Sequence, residues 1–549
     1  MQATNPQQLI LNSIFSDLTQ NYLVKGVAGA GKTWILSAIT HKLVELGINE
    51  NDILALTFSK ELAKDMQEKL KGTVQTIHSK MYQVCSQWIK VNNIKRQGTK
   101  TSTGQWQYSI LDENLATKVI KDYLKPAFGI ALGQSVPNDK IAEFYSECFT
   151  LLGLVNAIRT SALHYDNDIA TIKEKYNTKY TEKVVVSAIE ILKTLNLRFF
   201  NRAQVDFIGM LYIPFINTNI FESRITKPKF LIIDETNDLS PILRSTINLL
   251  VDSETKLIAV GDEQQTIHIW SGTEPDCMER FKLTHSMKEL EYEYTFRVPK
   301  KHCVYLNASG IDNRIKPYET NNTGTLERVS YNKTLSKLQN GDVVLCKFNR
   351  GNKVAKTLEA MSIEILQLGK KVALIGSTYL EDIKEILAYT SQSNNPSEFK
   401  NLAYYAEQAV LYIIAEEYTN SGLKTDSFKC KELRRKLETF KLYHKFFCNQ
   451  PKVFFPNLKQ FIAFLETMYE KTENAIQLCS IHRSKGKEWK TVYILHAEYM
   501  VEEINNQELP IDQRIEAHNL LLVALTRSLN NTFIIDYDLP SVVNKPSVG

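Results

Sequence analysis

Short apolar runs alternate with longer amphipathic ones along the chain. "YLV" (22–24) is compact and apolar, the signature of a buried strand. After a glycine-rich break, "WILSAITHKLVEL" (34–46) brings Ile35, Ile39, Leu43 and Leu46 near one helical face. Gly47 stands where it can end that helix. The pattern returns at "KFLIIDETND" (229–238), whose four apolar residues read as a strand buried on both faces. "SPILRSTINLL" restarts a helix, with Ser240 as N-cap and Pro241 in the first turn. A third apolar run, in "KLIAVGDEQQTIHIW" (256–270), ends in a polar turn at Gly261 and Asp262. Strands and helices in alternation predict an α/β fold with parallel sheets flanked by helices.

Two long intervals break the alternation. About 150 residues separate "TIHS" from "IIDE", too many for a simple loop. They are rich in helical patterns such as "NDKIAEFYSECFTLLGLVNAI" and "EKVVVSAIEILKTLNLRFFNRAQVDFI" and read as an inserted domain. Within them "KRQGTKTSTGQWQY" (95–108) is polar, basic and turn-rich, a hairpin or strand-contacting loop on one reading and a solvated loop on the other. A second interval, of roughly 100 residues, follows "VALIG". It contains "FKCKELRRKLETFKLYHKFF" (428–447), with seven Lys or Arg at a helical period. That helix either tracks duplex phosphates or presents a solvated face while Leu433, Leu437, Phe440 and Phe447 enter a core.

Composition changes little. The net charge is +5, from 66 basic and 61 acidic residues, so any nucleic-acid surface must come from local clustering. Eight scattered cysteines without a CxxC pair argue against a zinc ribbon or cysteine-bound cluster, and for reduced, buried thiols. The first residues lack the pattern of a signal peptide. No run approaches the ~20 apolar residues that span a bilayer. We therefore expect a cytoplasmic protein with no membrane partner, nucleoid-associated if bacterial.

The chemistry lies in the breaks. "GVAGAGKT", Gly26, Val27, Ala28, Gly29, Ala30, Gly31, Lys32 and Thr33, fits GxxxxGK[ST] at every fixed position, after a strand and before a helix. Glycines let backbone N–H groups curl around phosphate oxygens, and the helix N-terminus adds positive potential. Lys32 should reach the β- and γ-phosphates of ATP, and Thr33 should bind Mg²⁺. Asp234 and Glu235 fall at the carboxyl edge of a buried strand, where ligands bind in open α/β sheets. Asp234 is the second candidate Mg²⁺ ligand, and Glu235 the candidate base for the attacking water. Gln265 follows the third strand and is placed to sense the γ-phosphate.

These stretches, in this order, resemble the superfamily 1A helicases of the UvrD/Rep/PcrA type. "TNPQQ" is similar to the family's adenine-reading glutamine motif, with Gln8 in the reading position. "ILALTFSKELAKDM" (53–66), "VQTIHSKMY" (74–82), "VGDEQQTIHIWSG", "YTFRVP" (294–299), "LGKKVALIG" (368–376), "CSIHRSKGKEWKTVYIL" (479–495) and "LLVALTRS" (521–528) resemble its later motifs, over nearly the whole chain. The resemblance implies two RecA-like P-loop motor domains, each with a mainly helical insertion. Residues 1–80 and 202–285 would form domain 1A, 81–201 domain 1B, 286–378 and 472–549 domain 2A, and 379–471 a reduced 2B. It also implies that Phe296 stacks on adenine, Arg297 meets the γ-phosphate, Glu488 approaches the ribose and Arg527 is an arginine finger. Phe58, His78, Trp270 and His482 would touch single-stranded DNA, aromatic rings being tolerant of base identity. Four positions depart from the pattern. Asn237 replaces a usual glutamine, Ser271 a usual basic residue, and His518 and Asn519 stand where arginines are common.

The expected activity is a monomeric, ATP-driven helicase moving 3′→5′ on single-stranded DNA and opening duplex junctions. The alternative is a translocase or ATPase subunit that needs a protein partner, such as a nuclease. A nucleotide-gated binding module that hydrolyses poorly is the third reading, resting on Asn237.

Overall fold

The computed structural model describes residues 4–94, 99–100, 106–107, 109–134, 136–137, 140–347, 357–375, 379–390, 396–421, 428–450, 457–468, 474–543 and 546. The chain separates into two compact units, Met1–Val136 with Phe144–Thr295, and Pro137–Glu143 with Phe296–Gly549.

The first unit is built on six parallel strands. Their spatial order is Thr73–Thr76, Ile53–Thr57, Phe230–Ile233, Lys256–Gly261, Tyr22–Gly26 and Lys288–Tyr292. The central strands are buried on both faces, which is why they appear in the sequence as unbroken apolar runs. Register brings Ile233 level with Ala259, and Lys25 level with Gly261. The segments leaving three neighbouring strands therefore emerge at one carboxyl edge. The sixth strand pairs Gly26 with Tyr292, so this unit extends to Thr295, past the expected limit at 285.

Helix Lys32–Glu45 packs back on the sheet through Ile35, Leu36, Ile39 and Leu43. Leu46 leaves the expected apolar face and is 54% exposed, because the helix has already ended there. Gly47, at φ +88°, supplies the left-handed turn. The helical insertion includes Leu115–Leu124, Ile141–Thr160, Ile169–Tyr176, Glu182–Arg202 and Gly209–Ile216. Its Phe144, Leu154, Leu192 and Phe199 share one apolar core with Leu54, Leu56 and Leu231 of the sheet. In the basic segment, Thr99–Lys100 pairs antiparallel with Trp106–Gln107, which favours the hairpin reading; the rest of 95–108 lies outside the described residues.

The second unit holds another six-stranded parallel sheet. Its order is Thr325–Val329, Ser528–Ile535, Trp489–Leu495, Val343–Cys346, Ile476–Ser480 and Val372–Ile375. Helices Tyr379–Thr390, Leu402–Ser421, Phe428–Cys448 and Leu458–Thr467 form its insertion. On Phe428–Cys448, Leu433, Leu437, Phe440 and Phe447 are all buried. Lys436 is bridged by Asp382, Glu385 and Glu432, and Lys441 by Glu407 and Glu438. The four apolar residues thus enter a core, and carboxylates bridge two of the run's seven basic side chains. Among the described residues, no helix is long and apolar enough to cross a membrane.

One buried ion pair ties the first unit's insertion to the segment returning to its sheet. Arg159 donates from Nη1 to both Asp206 oxygens, at 2.7 and 2.9 Å, and from Nη2 to Asn156 Oδ1. Asp206 Oδ1 also accepts the Gly209 N–H, at 2.7 Å. Arg159→Ala leaves a buried carboxylate uncompensated and should cost about 3–5 kcal/mol in denaturant unfolding. A loss below about 1 kcal/mol would mean that water repairs the site.

Candidate functional site

At the edge of the first sheet, the loop after strand Tyr22–Gly26 closes on itself. Val27 donates its N–H to the Tyr292 carbonyl and accepts from Ala30 N–H, both at 3.1 Å. Gly29 and Gly31 adopt φ of +73° and +77°, the left-handed region that favours glycine. Gly31 is the N-cap of helix Lys32–Glu45, so the helix N-terminus opens onto the loop. At Gly26, a Cβ would lie 3.2 Å from Lys32 Cγ and 3.3 Å from Ala30 Cβ. Lys32 arches over the loop, its Nζ donating to Gly26 O at 3.0 Å and Val27 O at 3.5 Å. Thr33 follows in the first helical turn. This narrow cradle of N–H groups and one ammonium fits a triphosphate.

Two strands away, Asp234 is buried, and its N–H extends the ladder to Leu56 O at 3.0 Å. Its Oδ1 accepts the Glu235 N–H at 2.9 Å. Glu235 sits at φ +52°, ψ +47°, a left-handed backbone costing about 1 kcal/mol in a non-glycine residue. Such strain persists where the surroundings demand it and is concentrated at functional sites. Gln265 is buried and donates from Nε2 to Asp262 Oδ2 at 2.7 Å. The first sheet thus brings Lys32, Asp234, Glu235 and Gln265 onto turns at the same edge.

Gln8 lies exposed on helix Asn5–Ser16, its amide donating to Asn12 Oδ1. Its neighbour Gln7 is buried and accepts from the Thr4 N–H and hydroxyl.

Within the second unit, Arg297 Nε donates to Glu488 Oε2 at 2.6 Å, joining two candidate nucleotide residues 191 positions apart. Strands Trp489–Leu495 and Ser528–Ile535 pair with Trp489 opposite Ser528, so Glu488 and Arg527 enter side by side. Arg527 is only 1% exposed. Its guanidinium donates to Val523 O, Lys487 O and Thr526 Oγ1. The candidate finger is thus held by its own helix and the preceding motif. Phe296 packs at 4.9 Å against Tyr318, which nothing in the spacing had marked.

The candidate strand contacts have partners that the sequence did not reveal. Phe58 stacks on His268, with centroids 5.4 Å apart and planes 18° apart. His78 stacks on the half-exposed Phe207 at 4.0 Å. Burial pushes the His78 pKa down to about 4, so at neutral pH it is a flat neutral ring rather than a phosphate-binding cation. His482 Nε2 lies 3.9 Å from Glu516 Oε1. Trp270 is in the turn Ile269–Ser271, ended by Gly272 at φ +96°; its side chain lies outside the described residues. Ser271 turns its hydroxyl to His268 O. His518 and Asn519, in the place of arginines, are buried against each other.

Two parallel α/β sheets, the first ending its strands in a phosphate loop and an Asp–Glu turn, define a P-loop protein of RecA-like architecture. The model of the UvrD/REP helicase N-terminal domain matches residues 5–286, and the chain belongs to this family. Its relatives include a probable DNA helicase II homolog of Mycoplasma capricolum, 25% identical over 268 residues, 47% of this chain and 34% of the relative. The putative ATP-dependent DNA helicase YjcD of Bacillus subtilis is 22% identical over 423 residues, 73% of this chain and 44% of the relative. The ATP-dependent DNA helicase PcrA of Staphylococcus aureus is 21% identical over 358 residues, 62% and 45%. The chain spans less than half the length of these curated relatives.

Burial also lowers His285 to about 4, against an ordinary histidine value of 6.5. Below pH 6.5 the unfolded chain therefore binds protons that these two folded histidines refuse. Stability should fall as pH drops from about 6.5 to about 4, with no contribution from them above that window. His78→Gln should flatten the slope of unfolding midpoint against pH there; an unchanged slope would show that His78 titrates normally.

Proposed function

We propose that this chain is an ATP-dependent DNA helicase that translocates 3′→5′ on single-stranded DNA. The gathering of the Lys32 loop, the strained Asp234–Glu235 turn and the Gln265 turn at one sheet edge carries this reading. Family membership and the names of the relatives support it. Lys32 holds the β- and γ-phosphates, Glu235 orients and deprotonates the attacking water, and Gln265 senses the γ-phosphate. Mg²⁺, held by Thr33 and Asp234, would neutralise phosphate charge. Gln8 reads the adenine edge. In the second unit Phe296 stacks on the base, Glu488 meets the ribose, and Arg297 and Arg527 stabilise the transferring phosphoryl group. Phe58, His78, Trp270 and His482 grip the strand by stacking and hydrogen bonding. The division into 1A, 1B, 2A and 2B, a monomeric state and a cytoplasmic location belong to the same proposal.

One observation favours a second reading. With Lys436 and Lys441 neutralised, the smaller insertion offers less cationic surface to a duplex. A translocase that opens duplex only with a protein partner would fit this.

The test is ATP turnover with and without single-stranded DNA, followed by strand separation on 3′- and 5′-tailed duplexes. Single-stranded DNA should stimulate turnover, and Lys32→Ala should lower kcat by about 10²-fold or more. Unwinding should start only from the 3′ tail. DNA-stimulated turnover without strand separation would favour the partner-dependent translocase. Turnover indifferent to DNA, or unwinding solely from the 5′ tail, would overturn the proposal.

A further inference from the structure

Asn237 is fully buried, one residue beyond Thr236 on the turn Thr236–Asp238. Both ends of its amide are used across the sheet edge. Its Oδ1 accepts the Asp262 N–H at 3.1 Å, and its Nδ2 donates to Gln265 O at 3.2 Å. Asp262 in turn shapes the next turn. Its Oδ1 accepts the Gln264 N–H at 3.3 Å, its carbonyl accepts the Gln265 N–H at 2.8 Å, and its Oδ2 holds the Gln265 side chain. Neighbours anchor Asn237 itself. Thr236 Oγ1 donates to Val260 O at 2.9 Å, and the Cys277 thiol donates to Asn237 O at 3.2 Å.

We infer that Asn237 is a positioning residue for Gln265, clamping the Asp234–Glu235 turn to the turn that carries the candidate γ-phosphate sensor. A primary amide accepts from Asp262 N–H and donates to Gln265 O through two separate atoms, without a titratable group. Its length is matched as well as its chemistry. A Cβ at Gly261 would already lie 3.1 Å from Asn237 Oδ1 and 3.0 Å from the Met278 sulfur. The amide thus already lies close against the Gly261 backbone, so the extra methylene of a glutamine should push the turn bearing Gln265 outward. The departure from the family's usual glutamine is therefore a local fit. Restoring the usual residue, Asn237→Gln, should impair the protein.

The role of Gln265 in turnover rests on the proposed ATPase; the clamp does not, and the two are tested separately. Amide hydrogen exchange in the nucleotide-free protein reads the clamp directly. Asn237→Leu and Asn237→Gln should each speed exchange at residues 262–265 by about tenfold or more, with strands Phe230–Ile233 and Tyr22–Gly26 unchanged. In turnover, both variants should lower DNA-stimulated kcat roughly ten- to a hundredfold, while ATP Kd stays within about threefold. If Asn237 acts through Gln265, Asn237→Leu should add little in a Gln265→Ala background. Unchanged exchange in Asn237→Gln, or kcat effects of Asn237→Leu and Gln265→Ala that multiply in full, would overturn the inference. Faster exchange in the Asn237 variants, with no Lys32-dependent turnover in the wild type, would instead leave the clamp standing and remove the ATPase.

Discussion

The structure depends on the hydrogen-bond register of the first parallel sheet. Parallel strands all run the same way, so each crossover must return over a face and every outgoing turn emerges at the carboxyl edge. With Ile233 beside Ala259 and Lys25 beside Gly261, the glycine-rich loop, the Asp–Glu turn and the turn bearing Gln265 become neighbours although more than 200 residues separate the first from the others. A slip of one residue would turn the buried faces of these strands outward and dismantle the edge.

This edge is crowded with buried polar groups. Asp234, Asn237, Asp262, Gln264 and Gln265 are all buried, and the hydrogen bonds among them replace those that water would supply. Such a network is worth having only when its members satisfy one another, because one orphaned group costs the full desolvation penalty. The same condition couples its members. A shift at one member must be accommodated by the next, and the turn bearing Gln265 leads within a few residues to Trp270. In the second unit, the Arg297–Glu488 pair and the carbonyls around Arg527 hold charged groups in the same satisfied manner.

Several readings of the chain hold because they are local. The phosphate loop, its helix and the apolar strand before Asp234 are each set by residues adjacent in sequence, so spacing and chemistry suffice to identify them. The expected face of helix Lys32–Glu45 failed only at Leu46, where the helix had ended. The basic run at 428–447 was ambiguous for a related reason. Its helical period was legible, but the carboxylates on neighbouring helices that neutralise Lys436 and Lys441 were not.

From sequence alone came the α/β class, the phosphate cradle, the acidic turn and the order of motifs, because a motif's backbone geometry is imposed by its own few residues. Tertiary structure alone decided what these motifs lean on: Phe207 against His78, His268 against Phe58, Tyr318 beside Phe296, Asp206 on Arg159, and the Gln265 turn on Asn237. Each of these pairs is closed by sheet register and helix packing over sequence separations of 22 to 210. Nothing in a one-dimensional pattern records which distant side chain will fill a given space or satisfy a given amide.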